Sequence, residues 1–530
     1  MTTAGSSPIV ILSKGTASSR GTEVQNNNIS AAMAVAEAVR TTLGPRGMDK
    51  MLVDTIGDVV ITNDGSTILK EIDIEHPAAK MVVEISKTQD TEAGDGTTTA
   101  VVIAGELLKG AKELIELDVH PAAIISGYRS ALKLAKEALD EIAIDMDAIE
   151  NDETLLKIAR TSLTGKGVDV AHDHLAEVVV AAARAVADEE GVDIDRINVE
   201  RKVGGRVNDT FMINGVAIDK EKVHSGMPDR IRDAKIALIN SSLEIRKTEF
   251  SSEIAIKSPD QLQTFLEREE ALMKEMVEKI KASGANVVFC QKGMDDLVQF
   301  YFADKGILAL RRVKKSDMER ISRATGAQVI TNIDMIDEEA LGRAELVEER
   351  RFGGDKMTII EGCLDPKAVS IVLRGGTDYV VSELERAIHD ALNTVGSAIE
   401  DRKIVAGGGS PEVELAMRLR SYSSRLKGKE QLALKKFADA LEVIPETLAE
   451  NSGFDPMNKL VELRAMHNKG QKTAGIDVQT GKISDMLEQG VIEPLRVKRQ
   501  ALNSAVDAAT MLLRIDDAIP MKGSSPGERK

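Results

Sequence analysis

A chain of 530 residues is too long for one compact core, and its length suggests about three or four domains. Hydrophobic residues make up 42% and charged residues 29%, a globular balance, and with no Trp and 2% aromatics the core must be Val, Ile, Leu, Ala and Met. A net charge of −17 excludes the basic footprint that a nucleic-acid or anionic-membrane surface needs, so neither is expected as a partner.

Residues 1–20, rich in Ser, Thr and Gly, and residues 522–530 read as mobile ends. The apolar run Ile9 to Leu12 has no charged leader or cleavage pattern, and no segment reaches the length of a membrane span, so a cytoplasmic location is expected. From about 22 to 145 the pattern is mostly helical. It is broken at Gly44-Pro45-Arg46-Gly47 and at the alternating run Val59 to Thr62, which enters the turn Asn63-Asp64-Gly65. Between 150 and 220, helices at Leu155–Leu163 and Leu175–Ala187 precede a β stretch at Ile197–Val203.

From 235 to 375, strand runs at Ile236–Ile239, Val287–Phe289, Ile307–Leu310 and Gln328–Ile330 alternate with helices, the signature of an α/β domain. Inside it the charged segment from about Pro259 to Lys281 predicts a long helix with Phe265, Leu272, Met273, Met276 and Ile280 on one face. After Ile371–Thr377 the chain is helical again, apart from a hairpin at Ala474–Val478 followed by Gly481. Two cysteines, Cys290 and Cys363, give neither a disulfide framework nor zinc spacing; Cys290 ends a buried strand.

The segment that carries chemistry is Glu92-Ala93-Gly94-Asp95-Gly96-Thr97-Thr98-Thr99. It sets a carboxylate between two glycines, follows it with three hydroxyls, and opens a helical run through Val101, Ala104, Leu107, Leu108, Ala111, Leu114 and Ile115. The N–H groups and positive end of that helix suit a phosphate, the glycines allow close backbone approach, and Asp95 offers Mg²⁺ a hard oxygen. The alternative is an Asp-Gly turn with a Thr N-cap.

Other constellations have plainer readings. Asp64 fits an Asx-type turn as well as a base. Asp390 projects from the apolar stripe Val381, Leu384, Ile388 and Ala391 of its helix and reads as solvent-facing. Lys403 to Glu412 reads as strand, glycine loop and helix with Pro411 near its start, without the dinucleotide or P-loop fingerprints. His172 and His174 mark a helix start rather than a metal site.

Taken together, Leu43-Gly44-Pro45-Arg46-Gly47, Asn63-Asp64-Gly65, Gly94 to Thr99, the Gly407 triplet and Val491-Ile492-Glu493-Pro494 occur in the order found in group II chaperonins. The chain resembles that family, which includes the archaeal thermosomes and the eukaryotic cytosolic chaperonin, from about residue 8 to 519. The resemblance implies a multidomain α and α/β fold. A mostly helical equatorial ATPase domain would span 1–149 and 403–530. A small α/β intermediate domain would take 150–219 and 369–402, and an α/β apical domain 220–368, with a helical protrusion acting as a lid over about 244–281.

It also implies an ATP-dependent chaperone: ATP hydrolysis closes the lid over a double-ring cavity of like or unlike subunits and folds non-native proteins. ATP, Mg²⁺ and potentially K⁺ are the implied cofactors. Residue by residue, Gly44, Gly94, Gly96, Thr97, Thr98 and Thr99 would surround the phosphates and Asp95 would ligate Mg²⁺. Asp64 and Asp390 would activate the attacking water, Lys166 would sense the γ-phosphate, and Gly408, Asp477, Glu493 and Lys498 would surround the adenosine. Carboxylates divided between domains would couple hydrolysis to domain closure. Ala406 stands where many relatives have Pro, and the tail from Met521 lacks the Gly-Met repeats of some members. Two other functions use the same loop: a small-molecule kinase or ligase, for which 220–370 offers no acceptor base, and a non-hydrolysing ring holdase.

Overall fold

The computed structural model describes residues 19–518 apart from residues 21, 58, 146–151, 168–170, 189–190, 245–258, 353, 366 and 427. The outermost ends and most of the first part of the expected lid therefore lie outside the described residues. Contacts divide the chain into two units, one of residues 1–148 with 401–530, the other of residues 149–400.

The first limb of unit one runs β1 (Ser19–Arg20), α1 (Thr22–Arg40), β2 (Lys50–Val53), β3 (Val59–Thr62), α2 (Gly65–Glu71), α3 (Pro77–Ala93), α4 (Thr97–Glu116), α5 (Pro121–Ile142) and β4 (Ile144–Asp145). Helix starts follow their capping chemistry: His76 and His120 accept from the Ala78 and Ala122 N–H groups, each before a proline in the first turn. Strand β2, unmarked in the sequence, pairs antiparallel with β3. Helix α4 is apolar almost all round, with every residue from Thr99 to Gly105 buried, and so becomes the core helix of this unit.

Unit two opens with α6 (Asp152–Leu163), α7 (His172–Val186), β5 (Ala187–Asp188), β6 (Gly191–Val192), β7 (Ile197–Val203), β8 (Phe211–Ile213), β9 (Gly215–Ile218) and β10 (Arg230–Ile239). It continues with α8 (Pro259–Ala282), β11 (Val287–Cys290), α9 (Asp296–Asp304), β12 (Leu308–Leu310), α10 (Lys315–Thr325), β13 (Val329–Ile330), β14 (Gly342–Phe352), β15 (Asp355–Cys363), β16 (Val369–Gly375) and α11 (Asp378–Asp401).

Two sheets organise this unit. The larger has the order β12-β11-β10-β14-β15-β9, with β13 taking over from β14 at the end of β10; β10 to β12 are parallel, and β10, β14, β15 and β9 antiparallel. The smaller is β7-β16-β8. The four predicted strands are present, but the long pair β14–β15 escaped the sequence reading. Buried Gly342 and Ala344 alternate with exposed Arg343 and Glu345, but the run Glu348-Glu349-Arg350-Arg351 hides the period of two. Helix α8 also differs from expectation: Met273, Val277 and Ile280 enter the core, whereas Phe265 and Leu272 are exposed.

The chain returns to unit one through β17 (Lys403–Ala406), α12 (Ser410–Ser423), α13 (Glu430–Asn451), α14 (Pro456–Asn468), β18 (Ala474–Ile476), β19 (Ile483–Asp485), α15 (Met486–Gln489), β20 (Ile492–Pro494), α16 (Leu495–Leu512) and β21 (Asp517–Ala518). Here β17 lies between β20 and β4, and β18–β19 form the predicted hairpin. Residues 19–20, expected within a mobile end, instead pair antiparallel with 517–518. Helices α1, α3, α13 and α16 pack around α4, so both limbs share one core.

Candidate nucleotide site

The start of α4 is built by two left-handed glycines. Gly94 (φ 68°) ends α3 and Gly96 (φ 77°) is the N-cap of α4, a conformation that costs a side-chain-bearing residue steric strain. No side chain caps α4, which rules out the Thr N-cap and leaves its first N–H groups directed outward beside Thr97, Thr98 and Thr99. Between the glycines, Asp95 accepts from the Gly96 N–H at 2.7 Å.

Asp64 meets this loop from α2. As the α2 N-cap it accepts from the Ser66 N–H (3.2 Å), the Thr67 N–H (2.8 Å) and the Thr67 hydroxyl (2.7 Å), so the Asx reading holds. The Thr97 hydroxyl stands 3.4 Å from the same carboxylate, which brings Asp64 to the mouth of α4 as well. A Cβ on Gly65 would come 2.5 Å from the Thr98 hydroxyl, so only glycine lets α2 approach this closely.

The return limb adds the other wall. The Lys498 ammonium is buried between Glu412 (3.0 Å) and Glu493 (2.9 Å). Burial pulls that ammonium down, but the two carboxylates outweigh it and hold it above the ordinary lysine value. Burial pushes the Glu493 carboxyl up; Lys498 opposes the rise, while Glu412 and Asp95 add to it.

Gly407 backs onto Val491 and Glu493, where a Cβ would stand 2.8 Å and 3.2 Å from their side chains. Gly408 (φ 64°) accepts from the Ile476 N–H at 2.9 Å, joining the glycine loop to β18. One residue on, Asp477 accepts from the Gln479 N–H (2.9 Å) and the Thr480 hydroxyl (2.5 Å), and these bonds, overcoming burial, hold its carboxyl below its ordinary value. Gly44 (φ 81°) packs against Leu448 of α13 so closely that any Cβ would collide with it.

Two predicted residues belong to unit two. Lys166, in the turn after α6, donates to Asp390 on α11 at 2.7 Å. Their side chains are only 16% and 13% exposed, so the solvent-facing reading of Asp390 is corrected: α11 aims it at a lysine, and that ion pair holds it largely out of water. His172 contacts the Arg160 carbonyl and the Thr164 hydroxyl, and His174 the Thr210 carbonyl; neither forms a metal cluster among the described residues.

Sequence reasoning missed two residues. Glu412, on α12 beside Pro411, is 3% exposed and holds Lys498. Gln89, fully buried on α3, donates to the Asp95 and Val497 carbonyl oxygens. The signal for Gln89 was an amide on the apolar face of α3, in step with Val82, Ser86 and Ala93.

Known proteins resemble the chain over nearly its whole length. Residues 35–523 match the TCP-1/cpn60 chaperonin family. A thermosome subunit of Methanopyrus kandleri is 58% identical over 514 residues, covering 96% of this chain and 94% of the relative. The thermosome subunit alpha of Thermoplasma acidophilum is 56% identical over 523 residues, covering 98% and 96%. An open-state monomer of a group II chaperonin from Methanococcoides burtonii superimposes with a TM-score of 0.61 at 47% identity, over 80% of this chain and all of that one. The chain belongs to the TCP-1/cpn60 chaperonin family and, within it, to the ATP-dependent group II chaperonins of archaea.

Proposed function

We propose that the chain binds Mg-ATP at the Gly94–Thr99 loop, hydrolyses it, and uses the cycle to close a ring cavity over non-native proteins. The observation that carries this reading is the start of α4: a helix end without a side-chain cap, flanked by left-handed glycines, with Asp64, Asp95 and the Glu493 wall beside it. The donor chemistry fits Mg²⁺, which binds through few carboxylates plus substrate phosphates. Asp95 supplies the one carboxylate, and no group of three or more metal-binding side chains occurs among the described residues. When bound, Mg²⁺ neutralises phosphate charge.

The chain's own residues bind and orient. The N–H groups of Thr97 to Thr99 face the phosphates with Gly44, Gly94 and Gly96, while Gly408, Asp477, Glu493 and Lys498 surround the adenosine. Asp64 and Asp390 orient the attacking water, and Lys166, paired with Asp390, responds to the γ-phosphate. Residues 215–363 hold the larger sheet and residues 197–213 and 369–375 the smaller, which supports an apical (220–368) and an intermediate (150–219, 369–402) domain within unit two, except that β9 (Gly215–Ile218), on the intermediate side of that boundary, belongs to the larger sheet.

Exposed Phe265 and Leu272 on α8 suit a lid that meets neighbours or clients by turns. The β2–β3 hairpin presents Met51 (66% exposed) and Ile56 (83%), which suits a contact with a second subunit of the ring. Family membership does not favour the small-molecule kinase or the non-hydrolysing holdase. The test is Asp390→Ala: Mg-ATP affinity is expected to stay within about threefold of the parent while turnover falls more than about 100-fold, the scale of a lost proton acceptor. Near-normal phosphate release contradicts the assignment.

A further inference from the structure

Gln89 is fully buried one turn before the end of α3. Its Nε2 donates to the Asp95 carbonyl oxygen at 2.7 Å and to the Val497 carbonyl oxygen at 3.2 Å. Both partners are acceptors only, so the amide orientation is determined: the NH₂ faces them, and both its hydrogens are used. The Oε1 is buried and accepts no hydrogen bond among the described residues.

One amide thus ties the Asp95 loop to a segment that lies 408 positions from Gln89 along the chain. On one side is the backbone of the residue assigned to Mg²⁺, and on the other the residue immediately before Lys498. The fit between them leaves little slack. A Cβ on Gly96 would stand 2.9 Å from the Val497 side chain and 3.2 Å from the Gln89 Nε2. Packing alone brings the loop near α16, but it is non-directional; two hydrogen bonds from one planar group fix the carbonyls' separation and angle.

We infer that Gln89 is a positioning residue for nucleotide binding: it sets the spacing between the phosphate loop and the first turn of α16, and so between the phosphate wall and the Glu493–Lys498 wall. Both of its amide hydrogens are engaged by the protein's own carbonyl oxygens. The inference rests on reading the Gly94–Thr99 loop as the Mg-ATP site.

The test uses the assembled full chain, with Mg-ATP turnover measured for the parent, Asp95→Ala, Gln89→Leu and Gln89→Asn, together with ring size by light scattering and thermal unfolding without nucleotide. Gln89→Leu removes both donors at similar volume. Its KM for Mg-ATP is expected to rise about tenfold to a hundredfold while kcat changes less than about threefold, because the spacing serves ground state and transition state alike. Gln89→Asn keeps the NH₂ on a shorter stem and is expected to lie between the two.

A role confined to stability would lower the active fraction, and hence kcat, at constant KM; that result overturns the inference. Should Gln89→Leu not assemble, an unchanged KM in Gln89→Asn overturns it equally. A parent without saturable Mg-ATP turnover, or an Asp95→Ala variant that turns over normally, overturns the site reading itself and this inference with it.

Discussion

At the scale of single residues, the site places charges where their environment makes each indispensable. Lys498 lies between Glu412 and Glu493, with Glu412 almost fully buried. Lys498→Met leaves two carboxylates without their cation, and removing one partner of a buried pair costs about 3–5 kcal/mol. Chemical denaturation of the variant without nucleotide is expected to show a loss of that order; a loss under about 1 kcal/mol contradicts the burial argument. Asp64 separates structure from chemistry in another way. Asn caps a helix as well as Asp does, whereas Ala loses about 0.5–2 kcal/mol. Asp64→Asn is therefore expected to melt like the parent while losing most turnover, and Asp64→Ala to lose both. The loop residues were legible because glycine, carboxylate and hydroxyl each name a requirement. Gln89 and Glu412 were not, because an amide or a carboxylate becomes informative only once its partner, distant along the chain, is known.

At the scale of elements, the glycines and buried ion pairs set how helices meet. Gly105 of α4 lies against Ala36 of α1, where a Cβ would collide with the Ala36 methyl. Gly105→Ala gains about 1 kcal/mol in helix propensity but forces overpacking that costs about 1–3 kcal/mol. The thermal midpoint is expected to fall, and a rise would show that the helices can part without cost. Between α12 and α14, the Glu414 carboxylate accepts from His467 at 3.0 Å and from Arg418 at 2.8 Å. The His467 hydrogen bond, with those of Arg418, overcomes burial and lowers the Glu414 carboxyl below its ordinary value. A lowered carboxyl contributes stability above its unfolded value of about 4.3, and that contribution is lost as pH falls through the lower folded value. Glu414→Gln is thus expected to melt earlier than the parent near neutrality, with the gap closing in acid; a gap independent of pH contradicts this. Helices were legible from their 3.6-residue period and the parallel strands from their unbroken apolar runs. The β14–β15 pair was not, because a sheet face left to solvent reads as a run of charge.

At the scale of the whole molecule, the residues of the proposal divide between the units: the Gly94–Thr99 loop, Asp64 and Lys498 lie in unit one, and the Lys166–Asp390 pair in unit two. The order of motifs along the chain made the family legible, because five short segments spread over some 450 positions are far more specific together than any one of them. If the β2–β3 hairpin meets a second subunit, Ile56→Asp should shift the size distribution in light scattering from rings toward monomers, while an unchanged distribution places the contact elsewhere. The central claim is that the uncapped start of α4 is the phosphate wall of a nucleotide site. Electron cryo-microscopy of the assembled chain with Mg-ADP addresses it most directly. Phosphate density is expected within hydrogen-bond reach of the Thr97 to Thr99 N–H groups, with metal density at Asp95. Nucleotide density anywhere else, or a loop without density under saturating Mg-ADP, would contradict it.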